Sequence, residues 1–545
     1  MRYRFWMSHH RSGPTLGALT ALLLTACMPV YAGSLDDVEL RWDNTVTLST
    51  NYALHNALPA AANYCALNAS KSLLGDTDRG CVYGTGFHSA RIDLLSQVDV
   101  DYAGFGLHAS AAGWYDAIDN NQGRARGNAL DTAERSEHGG HNLELFEAFI
   151  HGGFDLDGDR PLTFRIGRHS IVWGESLFFP GNGIAAGLSP VDSYIVRNPS
   201  DYAAGDTYLP VDQISVSLAA TDALSIQAYY QFEWRRSRID PNDAFVDPNN
   251  VLGAEGTRLL SLSVPRFGTF YYRRTADRLP DSTDQYGLAV KWHRGDFDLG
   301  LYALSYDAKT PNIEYYPQVA AYPGLPNVGA YSLEFPTGIE IYGASLAGPL
   351  GDASFGAEIS ARRNMSLTNG GVFNLPRSGV AAPYGSRLRF PLGDTLHGQF
   401  SWIYTVPPVL GLRDGASWRG EIAINHLIAE TDNWGQLSPG RTRTAAAFRT
   451  VFEPQFFQLF PRVDITTPIG IAYNFLGLSQ TDPAMNRGTG HVDFGVTATV
   501  DQVWKGAATF SHYFGVSKFP LVGFGGPQQP LDNWDYIKVS VERSF

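Results

Sequence analysis

The chain has 545 residues, a formal net charge of −13, 13% aromatic residues, 57 Gly and only 5 Met. An acidic chain without a basic stripe is a poor partner for nucleic acid. The aromatic-rich, glycine-rich and methionine-poor balance speaks against a helical enzyme and for a large antiparallel β structure.

Residues 1–32 carry Arg2, Arg4 and Arg11, then an apolar run from Leu16 to Met28, then Val30-Tyr31-Ala32 as a small-residue cleavage site. This is the pattern of a secretory signal peptide, too short in its apolar part to span a bilayer. Leu24-Thr25-Ala26-Cys27 also matches a lipoprotein box, so a lipid on Cys27 remains the alternative to cleavage after Ala32. Cleavage removes three Arg and no acid, taking the charge from −13 to −16. Cys65 and Cys81 then remain, flanking a polar segment. In an oxidising compartment a single loop disulfide is expected, with two free thiols as the alternative.

Residues 33–545 contain no Ser/Gly/Pro tract, charge block or shift of composition that would serve as a linker, so one domain is expected. No run of about 18 apolar residues follows the signal, which excludes a helical inner-membrane protein. No repeat of about 40 to 50 residues supports a propeller. Membrane strands of about 9 to 11 residues would alternate lipid-facing and lumen-facing side chains, with turns short on one side and long on the other.

That rule is followed along the chain. Strand one is predicted over Val38 to Tyr52. Strand two, Ala90 to Tyr102, sets Ile92, Leu94, Val98 and Val100 against Arg91, Asp93, Gln97, Asp99 and Asp101. Strand three runs from Phe105 to Trp114 and strand four from Leu143 to Phe154. The run Asp155-Leu156-Asp157-Gly158-Asp159 resembles a calcium loop but lacks the downstream acid, so a turn is expected. Strand five puts Leu162, Phe164 and Ile166 outward with Thr163 and Arg165 inward.

Strand six is placed over Gln213 to Ala220. Strand seven, Leu224 to Arg235, ends in Tyr230, Phe232 and Trp234 as an aromatic girdle. Paired strands follow to the C-terminus for a total of eighteen, within a range of 16 to 20, and Ile239 to Asp284 has room for one further hairpin. The last strand, Trp534 to Phe545, alternates polar and apolar residues and ends in an aromatic residue. It resembles the terminal strand by which such barrels are recognised for assembly, with Arg543 as the departure that an interfacial position would tolerate by snorkelling. A transmembrane, porin-like β-barrel is the expected fold class.

Catalytic patterns are sparse. There is no G-x-S-x-G elbow, H-E-x-x-H or P-loop. Gly181-Asn182-Gly183 approaches a dinucleotide fingerprint without a βαβ unit, and His169, Ser170 and Asp192 are a loop coincidence of triad residue types. No catalytic residue, cofactor or metal is expected. The inward faces instead offer mixed charge, among them Arg91, Asp93, Glu233, Glu358, Arg362, Arg419, Glu421, Arg449 and Lys538.

The loop after strand five, 168–212, carries Phe178, Phe179, Leu188, Tyr194 and Ile195 and is too apolar to lie free in water. Folded into the barrel it would bury these groups and leave Arg165, Arg168, His169, Glu175, Asp192, Arg197 and Asp201 to line a constriction or pair with the wall. Folding over the rim is the alternative.

The run R-I-G-R-H-S-I-V-W-G-E-S from Arg165, the following Asn182-Gly183, S-P-V-D from Ser189 and Arg197-Asn198-Pro199 resemble a proteobacterial outer-membrane family of unknown function, number thirteen hundred and two. His169 stands where that pattern has a polar Gln. The resemblance implies an outer-membrane barrel whose genes accompany exporters of hydrophobic compounds and a companion periplasmic family. It supplies no catalytic residues. The expectation is therefore a channel or transport component for small or amphiphilic organic compounds in the outer membrane of a Gram-negative bacterium. Its expected partners are outer-membrane lipid, the barrel-assembly machinery and a small or hydrophobic solute. The alternatives are a non-conducting adaptor that docks a periplasmic protein and an inner-membrane exporter, or a lipid hydrolase.

Overall fold

In the computed structural model the described residues are 33–35, 38–54, 85–118, 140–192, 207–238, 258–259, 263–264, 268–269, 271–280, 285–317, 327–369, 389–409, 411–433, 437–438, 440–515 and 535–545. Eighteen antiparallel strands close into a barrel. They are β1 (Val38–Ala53), β2 (Gly86–Tyr102), β3 (Phe105–Asp116), β4 (His141–Leu156), β5 (Arg160–His169) and β6 (Val211–Ala219). Next come β7 (Leu224–Gln231), β8 (Gln285–Arg294), β9 (Phe297–Tyr306), β10 (Ile339–Leu350), β11 (Ala353–Ser366) and β12 (Leu392–Val406). The last six are β13 (Ala416–Asp432), β14 (Thr444–Phe460), β15 (Val463–Thr466 and Ile469–Leu476), β16 (Gly490–Val500), β17 (Trp504–Phe514) and β18 (Tyr536–Ser544). Each strand pairs with the next, and β18 returns to β1 with Thr45 opposite Ser544.

Closure leaves no sheet edge, which a strand-built membrane protein requires because lipid cannot satisfy free backbone groups. The seam continues one residue further: Phe545 N donates to Asn44 O and Asn44 N to Phe545 O, both at 2.9 Å. Strand β15 is broken at Thr467-Pro468, where proline has no N–H to give; the Pro468 carbonyl still accepts Gly495 N at 2.8 Å.

Turns after even strands are tight, except at residues 407–415 between β12 and β13. Ala103 and Gly104 (φ 49° and 82°) join β2 to β3, and Asp157 and Gly158 (φ 52° and 85°) join β4 to β5. Paired positive φ values match the right-handed twist of a hairpin. The connections after odd strands are longer, so the start of β1 and the end of β18 lie on the short-turn side.

Period-two alternation gives the wall two surfaces. Leu94, Leu107, Ile150, Leu301, Ile359, Phe400, Ile422, Phe494 and Val539 are exposed on the outside, while Gln213, Gln231, Gln285, Glu358, Arg362, His397, Glu421 and Ser511 are buried inside. An apolar exterior around a polar interior is a membrane-spanning arrangement. Arg543 faces outward opposite Val46, with its guanidinium over the Trp504 and Phe545 rings at 4.9 and 5.5 Å.

Strand β7 ends at Gln231, four residues before the predicted Arg235. Tyr230 and Phe232 are exposed as a girdle would be, but Trp234 turns inward, meeting Phe335 edge-to-face at 4.7 Å and donating to Ala308 O at 3.2 Å. The loop after β7 does contain a further hairpin, Ser263–Val264 with Gly268–Thr269, outside the barrel wall. A small sheet of Arg258–Leu259, Tyr271–Arg274, Asn312–Pro317 and Asn327–Glu334 lies at the long-loop end, and one of its pairings, Tyr271–Arg274 with Asn327–Glu334, is parallel.

Candidate functional site

The loop leaving β5 turns into the barrel, and its main chain is held by three charged side chains that the alternation of β11 and β13 points inward. Glu421 Oε2 accepts the amides of Leu177 (3.2 Å), Phe178 and Phe179 (2.9 Å). Glu358 accepts Glu175 N at 2.9 Å on one oxygen, and Ile184 N (3.1 Å) and Gln399 Nε2 (2.6 Å) on the other. Arg362 donates to the carbonyls of Gly181, Asn182 and Gly183 at 3.0, 2.6 and 2.8 Å. Two carboxylates thus collect backbone donors and one guanidinium collects backbone acceptors, so charges that would be costly in a dry interior are compensated by oriented peptide dipoles.

Asn182 completes the seat: its Oδ1 meets His397 Nδ1 at 3.0 Å and its Nδ2 donates to Gly398 O and Ile424 O at 3.2 and 3.3 Å. Packing follows the same line. Trp173, Ile184 and Leu188 are buried in a cluster with Tyr229, Tyr302, Leu304, Tyr306 and Ile341. Fully burying side chains of this size contributes about 1.5–3 kcal/mol each. The wall makes room with small inward residues. A Cβ on Gly343 would stand 2.8 Å from Ile184 Cδ1, and one on Gly356 2.8 Å from Glu175 Cβ. Phe179 packs beside Ala423, Ala445, Ala447 and Met485, and Phe178 lies beneath the Arg449 guanidinium at 4.9 Å.

The profile of the family described as "Protein of unknown function (DUF1302)" matches residues 14–545. The chain belongs to that family. No curated protein matches it. Among solved structures, this DUF1302 barrel is similar to Acinetobacter baumannii OccAB3 (10% identity, 93% of this chain and 99% of that one, TM-score 0.43). It is also similar to Pseudomonas aeruginosa OccK8, or OprE (9%, 94% and 99%, TM-score 0.43), and to the outer membrane channel DcaP of Acinetobacter baumannii (8%, 94% and 100%, TM-score 0.39). These likenesses are distant, and the fold described above rests on the strand pairing itself.

In this DUF1302 chain the predicted site residues divide into several groups. Glu175, Phe178 and Phe179 are in the seated loop; Glu175 Oε1 accepts from Ser345 Oγ at 3.3 Å, and burial pushes its carboxyl above the usual range. Arg168 and His169 belong to the end of β5 rather than to the loop, and Asp212 at the other predicted boundary belongs to β6. Arg168 pairs with Asp212 (3.1 Å) and Glu233 (3.0 Å). Asp192 pairs with Arg238 at 3.2 Å, and Arg238 also meets Glu144. Arg165 faces the lumen from mid-strand, over the Phe149 ring at 5.5 Å.

His169 does not meet Asp192. Its Nε2 lies 2.8 Å from Ser215 Oγ and its Nδ1 3.0 Å from Gly167 O, so the triad types are not assembled. Arg197, Asp201, Cys65, Cys81 and residues 1–32 lie outside the described residues. Glu358, Arg362 and Glu421 were legible as inward charges, but not as the loop's seat. The signal that could have found the seat is glycine at inward positions of strands, Gly343 and Gly356, where a void is useful only if something fills it.

Proposed function

We propose that the protein is an outer-membrane channel of a Gram-negative bacterium that passes small or amphiphilic organic compounds, with the loop between β5 and β6 forming its constriction. One observation carries this reading: the loop is fastened by Glu358, Arg362 and Glu421 to one side of the barrel. Its seat belongs to β7–β14, and the facing wall carries charged groups in opposite-sign neighbours, such as Arg91 at 2.7 Å from Asp93 and Lys505 across from Glu542. A polar, two-signed surface holds a solute weakly enough to release it. The loop's Trp173, Ile184 and Leu188 are buried against the wall, so the loop narrows the lumen without presenting these groups to a solute.

Planar-bilayer recording tests this. The intact protein is expected to conduct, and deletion of Phe178 to Asp192 to raise the conductance while heat-modifiable migration shows an assembled barrel. Unchanged conductance in an assembled deletion variant would reject the constriction. A silent intact protein would reject the channel and favour a closed scaffold that docks other proteins.

A further inference from the structure

The inner wall of β2–β5, away from the seated loop and toward the short-turn mouth, carries a cluster that the constriction does not use. Strand register sets it out in two rows. One runs Asp99, His108, Phe149 and the other Asp101, Gly106, His151, Arg165. His108 Nδ1 lies 2.6 Å from Asp99 Oδ1, and its Nε2 lies 3.5 Å from Glu147 Oε2. His151 Nε2 lies 3.6 Å from Asp101 Oδ1, with 32% and 50% of those side chains open to solvent. That second contact spans two strands and exists because Gly106 stands between them: a Cβ there would strike both the Asp101 carboxylate and the His151 ring. Phe149 is the hub, stacked on His108 at 4.9 Å, beside His151 at 5.9 Å and His169 at 5.5 Å, with Arg165 over its ring.

We propose that this cluster is a proton-tuned binding step for small cations on the solute path. The inference rests on the channel reading above and adds to it the sign of the preferred ion and what changes that sign. Three carboxylates, Asp99, Asp101 and Glu147, face one guanidinium, Arg165; on β1, Glu39 stands opposite Asp101, and Arg41, paired with Asp43, stands opposite Asp99, so with neutral imidazoles the patch is net negative and concentrates cations. Histidine ordinarily titrates near pH ~6.5. Protonating His108 and His151 offsets most of the excess, and His169, buried against Ser215, is the remaining histidine facing the hub. Elsewhere on the free wall Arg91 lies beside Asp93 and Lys505 across from Glu542, so opposite signs offset each other at those places.

The test is the reversal potential in a potassium chloride gradient. The cation-to-anion permeability ratio is expected to fall about threefold between about pH 8 and about pH 5. His108→Gln with His151→Gln should hold the high-pH ratio at both, and Asp101→Asn should lower it at high pH. A conducting wild type whose ratio ignores pH, or a double variant that still shifts, overturns the proposal while leaving the channel standing. If no current flows at any pH, the channel reading fails, and a histidine-edited NMR spectrum of the detergent-solubilised barrel judges the patch: the His151 ring signals should move in Asp101→Asn, and unmoved signals overturn the pairing.

Discussion

The amide of Phe179 donates to the carboxylate of Glu421 at 2.9 Å, joining residues 242 positions apart in the chain. Glu421→Ala leaves this amide and those of Leu177 and Phe178 without their acceptor, whereas Glu421→Gln keeps a neutral one. Hydrogen bonds to a charged group contribute about 1.5–3 kcal/mol. The Ala variant should therefore raise protease cleavage of this segment about tenfold or more in detergent, with Gln in between. Equal resistance in all three proteins would sink the seat.

Gly343 is an inward position with the Ile184 side chain directly over it. Gly343→Val is expected to expel the turn Ile184–Gly187 from its pocket, costing about 1–3 kcal/mol by overpacking. The check is a single-channel record: larger or noisier conductance in a barrel that still shows heat-modifiable migration. A normal record would mean that the loop tolerates displacement there.

Lys309 sits in the loop after β9, buried, with Nζ donating to Gln285 Oε1 at 2.8 Å and to Gly187 O at 3.5 Å. Burial pushes its pKa down to about 7, opposed by Asp307. An unfolded lysine keeps a value of about 10.4, so between about pH 7 and about pH 10.4 the unfolded chain binds more protons and stability rises with pH, by at most about 1.4 kcal/mol per unit. Below pH ~7 the penalty for burying the charge is complete and constant. Lys309→Met should therefore stabilise most near pH ~6 and flatten the rise, read as guanidinium unfolding midpoints at about pH 6 and about pH 9. An equal gain at both would exclude a buried charge as the cause.

Phe545 closes the seam through two main-chain bonds with Asn44 and shields Arg543 with its ring. Deleting Phe545 should lower the fraction of folded, heat-modifiable barrel several-fold, whereas Phe545→Tyr, which keeps both contacts, should not. A deletion that assembles normally would place the closing step elsewhere.

Strand number, order and facing were legible because lipid imposes alternation on every strand, as in β2 with Leu94 outside and Asp93 inside. The C-terminal end of β7 was not, because Phe232 and Trp234 continue the alternation past the point where Trp234 leaves the wall for Phe335. The parallel pairing of Tyr271–Arg274 was invisible for a related reason: it joins loops from separate hairpins, and no local periodicity encodes that. The loop's inward course was legible from its own apolar residues. Its seat was not, because Glu358, Arg362 and Glu421 bind peptide groups, which every sequence has.

That last property reaches beyond this chain. A wall that grips peptide groups fixes the course of the main chain there without reading every side chain, so long as Gly174, with φ 90°, and Gly183 let the main chain approach Glu358, Asn182 keeps its place and Phe178 and Phe179 keep theirs beside Arg449 and Met485. The barrel is in this sense a socket. A different residue at Leu177 could be exchanged in it as an insert, with the wall left as it is.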